Sequence, residues 1–291
     1  MMYKHTVKTP GKTLRLLLPE WQGYGVSNVP ARGARALGAA LFNSGGADVV
    51  EPVESIDAPD TEALATSGGV LGLDSIALRA ARARNLLRAR QPDRIVMVGA
   101  TCGVEVAPVS YLNEKYSGEI AVLWLDAHAD LNTPESSPSG HFHGMVLRTL
   151  LGDGPAALVD RLARPLTPAQ VCLVGARDLD PPEAEFARAT GIRLAGLEAF
   201  TDPVEFARSI RRAGFERVYL HLDLDVTNPD DFASSLMRTA GGPSLDDVMA
   251  LVCQVREQCD VVGFSVVEFC DRAGGDLERL RDALAPHFPG V

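Results

Sequence analysis

The chain has 291 residues, 46% hydrophobic and 23% charged, with a formal net charge of −10. That is ordinary globular composition, sized for one large α/β domain or two small ones. The acidic balance argues against a nucleic-acid partner, and no apolar stretch reaches the roughly 18 residues of a membrane span.

The N-terminus is polar and lacks the apolar centre of a signal peptide, so the expected location is the cytoplasm. Residues 15–18 and 48–53 have the make-up of short strands, with an Ala- and Leu-rich helical segment at 31–43 between them. Residues 73–90 read as a helix capped by Asp74 or Ser75 and ending in arginines. A strand at 94–98 ends at Gly99, a helix over 104–116 follows, and a wholly apolar strand occupies 121–125. Short helices are expected over 143–151 and 156–162, a strand at 171–174, a helix at 183–190 and a strand at 192–195. The remainder reads helix 203–213, strand 217–224, helix 245–257, strand 261–267 and helix 276–285. Eight strands alternating with helices predict a parallel sheet covered on both faces. A TIM barrel is the other arrangement of eight such units. No repeat, low-complexity tract or linker interrupts the pattern, so residues 1–291 are expected to form a single domain.

The chemistry gathers at two strand ends. Asp126, His128 and Asp130 follow the strand at 121–125, and a turn-rich loop then carries His141 and His143. Two carboxylates and an imidazole are hard-to-borderline ligands of the kind used by Mn, Mg or Zn. Burying three ionisable groups there is costly without an ion or a partner. The strand at 217–224 ends in Asp223 and Asp225, which alternation puts on one side. A lone pair of this kind often only caps a helix or meets solvent. With the first cluster it completes enough ligands for two ions about 3.5–4 Å apart.

Asp126-Ala-His128-Ala-Asp130-Leu-Asn132-Thr-Pro, Ser139-Gly-His141-Phe-His143-Gly and Asp223-Leu-Asp225 together resemble the signature blocks of the arginase/agmatinase (ureohydrolase) family. The block at 174–181 and Glu268, at the end of the last strand, agree in order and spacing. The resemblance implies a three-layer α/β/α sandwich with a central, mainly parallel eight-stranded sheet and a centre of two Mn2+ ions. By position, Asp126, Asp130 and Asp223 would serve one ion and His128 and Asp225 the other, with Asp126 and Asp223 bridging. His143 matches a histidine that passes protons to the leaving amine, a task suited to a near-neutral pKa. Glu268 matches the acid that holds the guanidinium, and Asn132, Ser139 and Asp180 match positions that read the amino-acid end of the substrate. The implied reaction is metal-dependent hydrolysis of a guanidino C–N bond in a small cationic substrate, releasing urea or a urea analogue. The implied assembly is a homotrimer or homohexamer.

The chain departs from that pattern at several positions. The family usually places a histidine ligand in the turn after the third strand; here the turn is Thr101-Cys102. A thiolate is soft and favours Zn over Mn, so one metal position is expected to be weak, empty or filled by Zn2+. A subset of the family with this Thr-Cys turn resembles hydrolases of modified arginines. His141 stands where an asparagine contacts the substrate carboxylate, Asn228 replaces an aspartate, and Cys270 replaces an asparagine. The substrate end thus departs further than the metal cluster. Two other readings are a catalytically degenerate binding or regulatory member, and a haloacid-dehalogenase-like phosphatase built on Asp223-Leu-Asp225-Val-Thr227. The second leaves the first cluster unexplained.

Overall fold

The computed structural model describes residues 11–42, 53–57, 59–272 and 274–287. Its strands are β1 (Thr13–Leu18), β2 (Val53–Ser55), the hairpin β3 (Thr66–Ser67) and β4 (Val70–Leu71), β5 (Arg94–Gly99), β6 (Ile120–Leu125), β7 (Val171–Val174), β8 (Arg193–Ala195), β9 (Arg217–Asp223) and β10 (Asp260–Val267). The α-helices are α1 (Val29–Phe42), α2 (Leu73–Arg90), α3 (Val106–Lys115), α4 (Val146–Leu150), α5 (Ala156–Val159), α6 (Pro181–Thr190), α7 (Glu198–Thr201), α8 (Pro203–Arg212), α9 (Leu245–Gln258) and α10 (Asp276–Leu284).

The main sheet runs in the order β2-β1-β5-β10-β9-β6-β7-β8, and every adjacent pair is parallel. It has two ends and is therefore open, which sets the barrel aside. Alternation along the strands divides the apolar side chains between two cores. In β6, Ala121, Leu123 and Leu125 pack with α1 and α7 to α10. Ile120, Val122 and Trp124 face the other way, toward α2 to α6. Helices on both faces of a parallel sheet give the expected three-layer α/β/α sandwich.

The differences from the sequence reading are local. The strand expected at 48–53 lies outside the described residues except for Val53, where β2 begins. Helix α2 has the expected bounds, but its N-cap is Gly72 at φ 72°, neither Asp74 nor Ser75. The β3–β4 hairpin delivers the chain in a left-handed conformation that glycine adopts without strain, and the Ser75 hydroxyl turns to Glu62. A 3-10 turn, Cys102–Glu105, precedes α3, because the chain must bend sharply off the end of β5. Helix α6 begins at Pro181, two residues earlier than expected, with Asp180 and Glu183 forming a reciprocal capping box. The hairpin and α7 were too short for periodicity to reveal.

The order of the central strands positions the site. Strands β5, β10, β9 and β6 are neighbours at the centre of the sheet, although the chain leaves β5 directly for β6. This crossover leaves a crevice at the carboxyl ends of the four strands, where ligands bind in open α/β sheets.

Candidate metal centre

The parallel register of β6 and β9 sets Trp124 beside His221 and Leu125 beside Leu222. The next residue on each strand therefore places Asp126 and Asp223 at the same edge. Trp124 Nε1 donates to Asp126 Oδ2 at 3.1 Å, and the backbone N–H of His128 donates to Asp126 Oδ1 at 2.6 Å. Asp223 caps the 3-10 turn that follows β9, accepting from the N–H of Asp225 at 2.8 Å. Asp225 in turn accepts from the N–H of Ala127 at 3.0 Å, which ties the two strand ends together. His128 Nδ1 lies 2.9 Å from Asp225 Oδ2 and 3.5 Å from Asp126 Oδ1. From the end of β5, the Cys102 thiol donates to Asp223 Oδ2 at 2.9 Å.

Three groups of side chains each offer ligand atoms within 4.8 Å of one another: Cys102, Asp126, His221 and Asp223; Asp126, His128 and Asp225; and Asp223, Asp225 and Glu268. Asp126, Asp223 and Asp225 each belong to two groups, as bridging ligands of a two-ion centre would. The electrostatics point the same way. Burial, reinforced by neighbouring carboxylates, raises Asp130 and Asp223 well above the usual carboxylate range and pushes Asp225 up to about 7. Burial also opposes charge on Asp126 and on His128, but His128 and His221 lower the first, and Asp126 and Asp225 raise the second. Burial and the surrounding carboxylates hold the Cys102 thiol well above its ordinary value. Three buried polar atoms here, Asp130 Oδ2, Glu268 Oε2 and His221 Nε2, have no hydrogen-bond partner. Buried polar atoms are nearly always satisfied, and crowded carboxylates with spare lone pairs are what a divalent cation neutralises. The donor set fits such an ion.

The cluster forms the floor of a cleft of about 210 Å³, lined by Cys102, His128, Asp130, Asp223, Asp225 and Glu268, with His143, Asn132, Ser139 and Asp180 also on its walls. Asp130 and Glu268 both carry positive φ, 52° and 63°. Non-glycine residues rarely adopt this conformation, and they do so mostly where the surroundings enforce it. The enforcement is visible at Glu268, whose N–H donates to Ala100 O at 3.2 Å and whose carbonyl accepts from Leu236 N at 2.9 Å. Its Oε1 meets His143 Nδ1 at 3.1 Å. Burial disfavours protonation of His143, yet Glu268 outweighs burial and raises its pKa. Asn132 donates to Asp180 Oδ2 at 2.8 Å. Glu183 holds both walls, accepting from Leu131 N at 2.8 Å and Asp180 N at 2.9 Å.

The structure thus brings together Cys102, Asp126, His128, Asp223 and Asp225, with Glu268 and His143 beside them. Asp130 lines the cleft but belongs to none of the three groups. His141 does not line the cleft; its ring packs near those of Tyr24 and His143. Sequence reasoning missed His221, Glu105 and Arg177. The alternation that paired Asp223 with Asp225 also points to His221 two residues earlier, so that signal was present. Nothing local marked Glu105, which reaches His221 across 116 positions at 2.8 Å. Arg177 sits in the block expected to meet the substrate. Its guanidinium instead binds the carbonyls of Asp225 and Thr239, at 3.0 and 2.6 Å, pinning the loop after β9.

Fold and cleft together define a doubly wound α/β protein with a candidate two-ion centre at the switch point of its sheet. The chain belongs to the arginase family: the family's sequence model matches residues 33–271. It is 34% identical to the arginase of Staphylococcus aureus strain COL over 158 residues, which cover 51% of each chain. It is 26% identical to the arginase of Entamoeba histolytica over 193 residues, 64% of this chain and 62% of the other. By the S. aureus alignment the chain spans about half the length of the curated relatives it matches. In fold it resembles the Entamoeba histolytica arginase solved with L-ornithine, with a TM-score of 0.84 over 96% of this chain and 98% of that one, at 21% identity. The Streptomyces clavuligerus proclavaminate amidino hydrolase gives a TM-score of 0.72, at 22% identity, over 96% of this chain and 90% of that one. Membership of this family displaces the phosphatase reading.

Proposed function

We propose that this chain is a metal-dependent amidinohydrolase that cleaves a guanidino C–N bond and releases urea or a urea analogue. The observation that carries this reading is the convergence of Asp126, His128, Asp223, Asp225 and Glu268 at the ends of adjacent strands, with buried ligand atoms left unpaired. Asp126, Asp223, Asp225 and His128, with Asp130 at the margin, would hold two divalent ions, of which Mn2+ suits the oxygen-rich half best, while the Cys102 thiol hydrogen-bonds Asp223. Such ions supply Lewis acidity, lowering the pKa of water and offsetting charge that develops during attack.

The protein's own groups do the rest. Seven carboxylates line the cleft: Asp130, Asp178, Asp180, Glu183, Asp223, Asp225 and Glu268. They favour a cationic substrate over a neutral one. Glu268 has one oxygen on His143 and the other unpaired, leaving an acceptor for a guanidinium N–H. His143, whose Nδ1 meets Glu268, would return a proton to the leaving amine. Asn132, Ser139 and Asp180 line the cleft's walls, where they can meet the remainder of the substrate. With Cys102 in the turn after β5 and His141 absent from the cleft lining, a modified arginine stands beside arginine as a substrate to test.

Metal content of the purified protein, combined with urea release from arginine, agmatine, hydroxyarginine and guanidino acids, tests the reading. Divalent metal should co-purify or bind, at least one guanidino compound should be hydrolysed, and Asp126→Asn and His128→Ala should each lose at least about 100-fold in kcat/KM. A fully active His128→Ala protein would sink the assignment. Protein that binds no divalent ion and hydrolyses none of these would instead support a degenerate binding or regulatory member, the reading that Cys102 favours.

A further inference from the structure

His221 lies in β9 two residues before Asp223, fully buried at 0% exposure, and no step described above uses it. Its Nδ1 is 2.8 Å from Glu105 Oε1. Glu105 ends the 3-10 turn that Cys102 begins, is itself fully buried, and takes a hydrogen bond from the Tyr219 hydroxyl on its other oxygen. Trp124 stacks on the imidazole, centroids 3.6 Å apart and planes 18° from parallel, which fixes the ring plane. Only Nε2 remains. It has no hydrogen-bond partner, and its nearest carboxylate oxygen, Asp126 Oδ2, is 3.8 Å away, too far for a hydrogen bond. It is, however, within ligand-sharing distance of Cys102 Sγ, Asp126 and Asp223, all within 4.8 Å of one another.

A histidine kept only for packing satisfies both ring nitrogens when buried. A metal-ligating histidine gives one N–H to a carboxylate, which fixes the tautomer and aims the other nitrogen's lone pair. His221 has the contacts of the second arrangement: Nδ1 on the Glu105 carboxylate and Nε2 without a partner. We propose that His221 Nε2 is the nitrogen donor of the metal position bordered by Cys102, supplied from within β9 and oriented by Glu105 and Tyr219. This rests on the two-ion reading above. The position then keeps an imidazole although the turn after β5 offers a thiol, and Cys102 acts by hydrogen-bonding Asp223 rather than by ligating.

The test is Mn2+ titration followed by calorimetry, on wild-type protein and on His221→Gln, Glu105→Gln and Cys102→Ala, each checked for folding by circular dichroism without metal. Wild type should take two ions. His221→Gln should weaken one position at least 100-fold, Glu105→Gln should weaken it about 10- to 100-fold, and Cys102→Ala should change either position only a few-fold. Folded His221→Gln and Glu105→Gln proteins that hold both ions within three-fold of wild type would overturn the assignment. Wild-type protein that takes up no Mn2+ would overturn the two-ion reading itself, and His221 with it. Proton NMR of Co2+-loaded wild type needs no variant. A hyperfine-shifted imidazole N–H that exchanges slowly in D2O is expected, since His221 is fully buried, and its absence overturns the proposal.

Discussion

At the scale of single residues, the site is a balance between repulsion and enforced geometry. Glu268 shows both: it sits at φ 63°, 1% exposed, in a group with Asp223 and Asp225. The strained backbone places a carboxylate where like charges already crowd, which is a cost to stability and a gain to binding a cation. Glu268→Gln keeps the shape and removes the charge. Its kcat/KM should fall by about 100- to 1,000-fold, a loss of roughly 3–4 kcal/mol in transition-state stabilisation. The melting temperature of the metal-free protein should hold or rise. A metal-free melt that drops by many degrees would mean that Glu268 serves mainly to hold the fold. Asp126, Asp223 and Asp225 were legible in the sequence because they stand at the ends of apolar strands, and Glu268 through the family resemblance. Positive φ at Asp130 and Glu268, and the partner of His221, were not, since they depend on contacts between segments far apart in the chain.

At the scale of elements, the segment bearing Glu268 is held by α1. Helix α1 approaches it so closely that a Cβ on Gly33 would come within 1.8 Å of the Phe269 carbonyl oxygen. Gly33→Ala must therefore push either the helix or the strand end, at about 1–3 kcal/mol. We expect a lower melting temperature together with reduced urea release, because the shifted residue adjoins Glu268. Stability lost with activity intact would show that the segment relaxes away from the cleft. The sequence marked residues 31–43 as helical through their Ala and Leu content, but a glycine inside a helix reads only as a weak point. Its use as a seat for another backbone needs the packed structure. The start of α6, two residues earlier than expected, has a related cause, since its capping box draws on Asp180, a residue that the family resemblance assigns to the substrate.

At the scale of the whole molecule, the layer architecture was readable because the central strands are apolar runs and the longer helices between them have periodic character. The order of strands was not, because parallel pairing leaves no local mark. Stability has its own pH signature. Burial, with Arg256 adding to it, pulls His287 down to about 4, below its unfolded value near 6.5. Between these values the unfolded chain binds a proton that the folded chain refuses, so this contribution is intact above pH 6.5 and is lost as pH falls toward 4. His287→Gln should flatten the fall in melting temperature over that window; an unchanged slope would assign the acid sensitivity elsewhere.

Strand β10, last in sequence, lies between β5 and β9, so Cys102 meets Asp223 across 121 positions and Glu268 across 166 only once β10 has been inserted. A nascent chain can display every acidic motif and still possess no centre. Long-range closure of this kind comes late in folding, and interactions absent from the folding barrier act on the escape from the native state. Stopped-flow measurements in Mn2+ and in chelator should therefore give equal refolding rates and markedly slower unfolding with the ion present. The cation would act as a latch on the finished sheet, with no part in guiding its assembly.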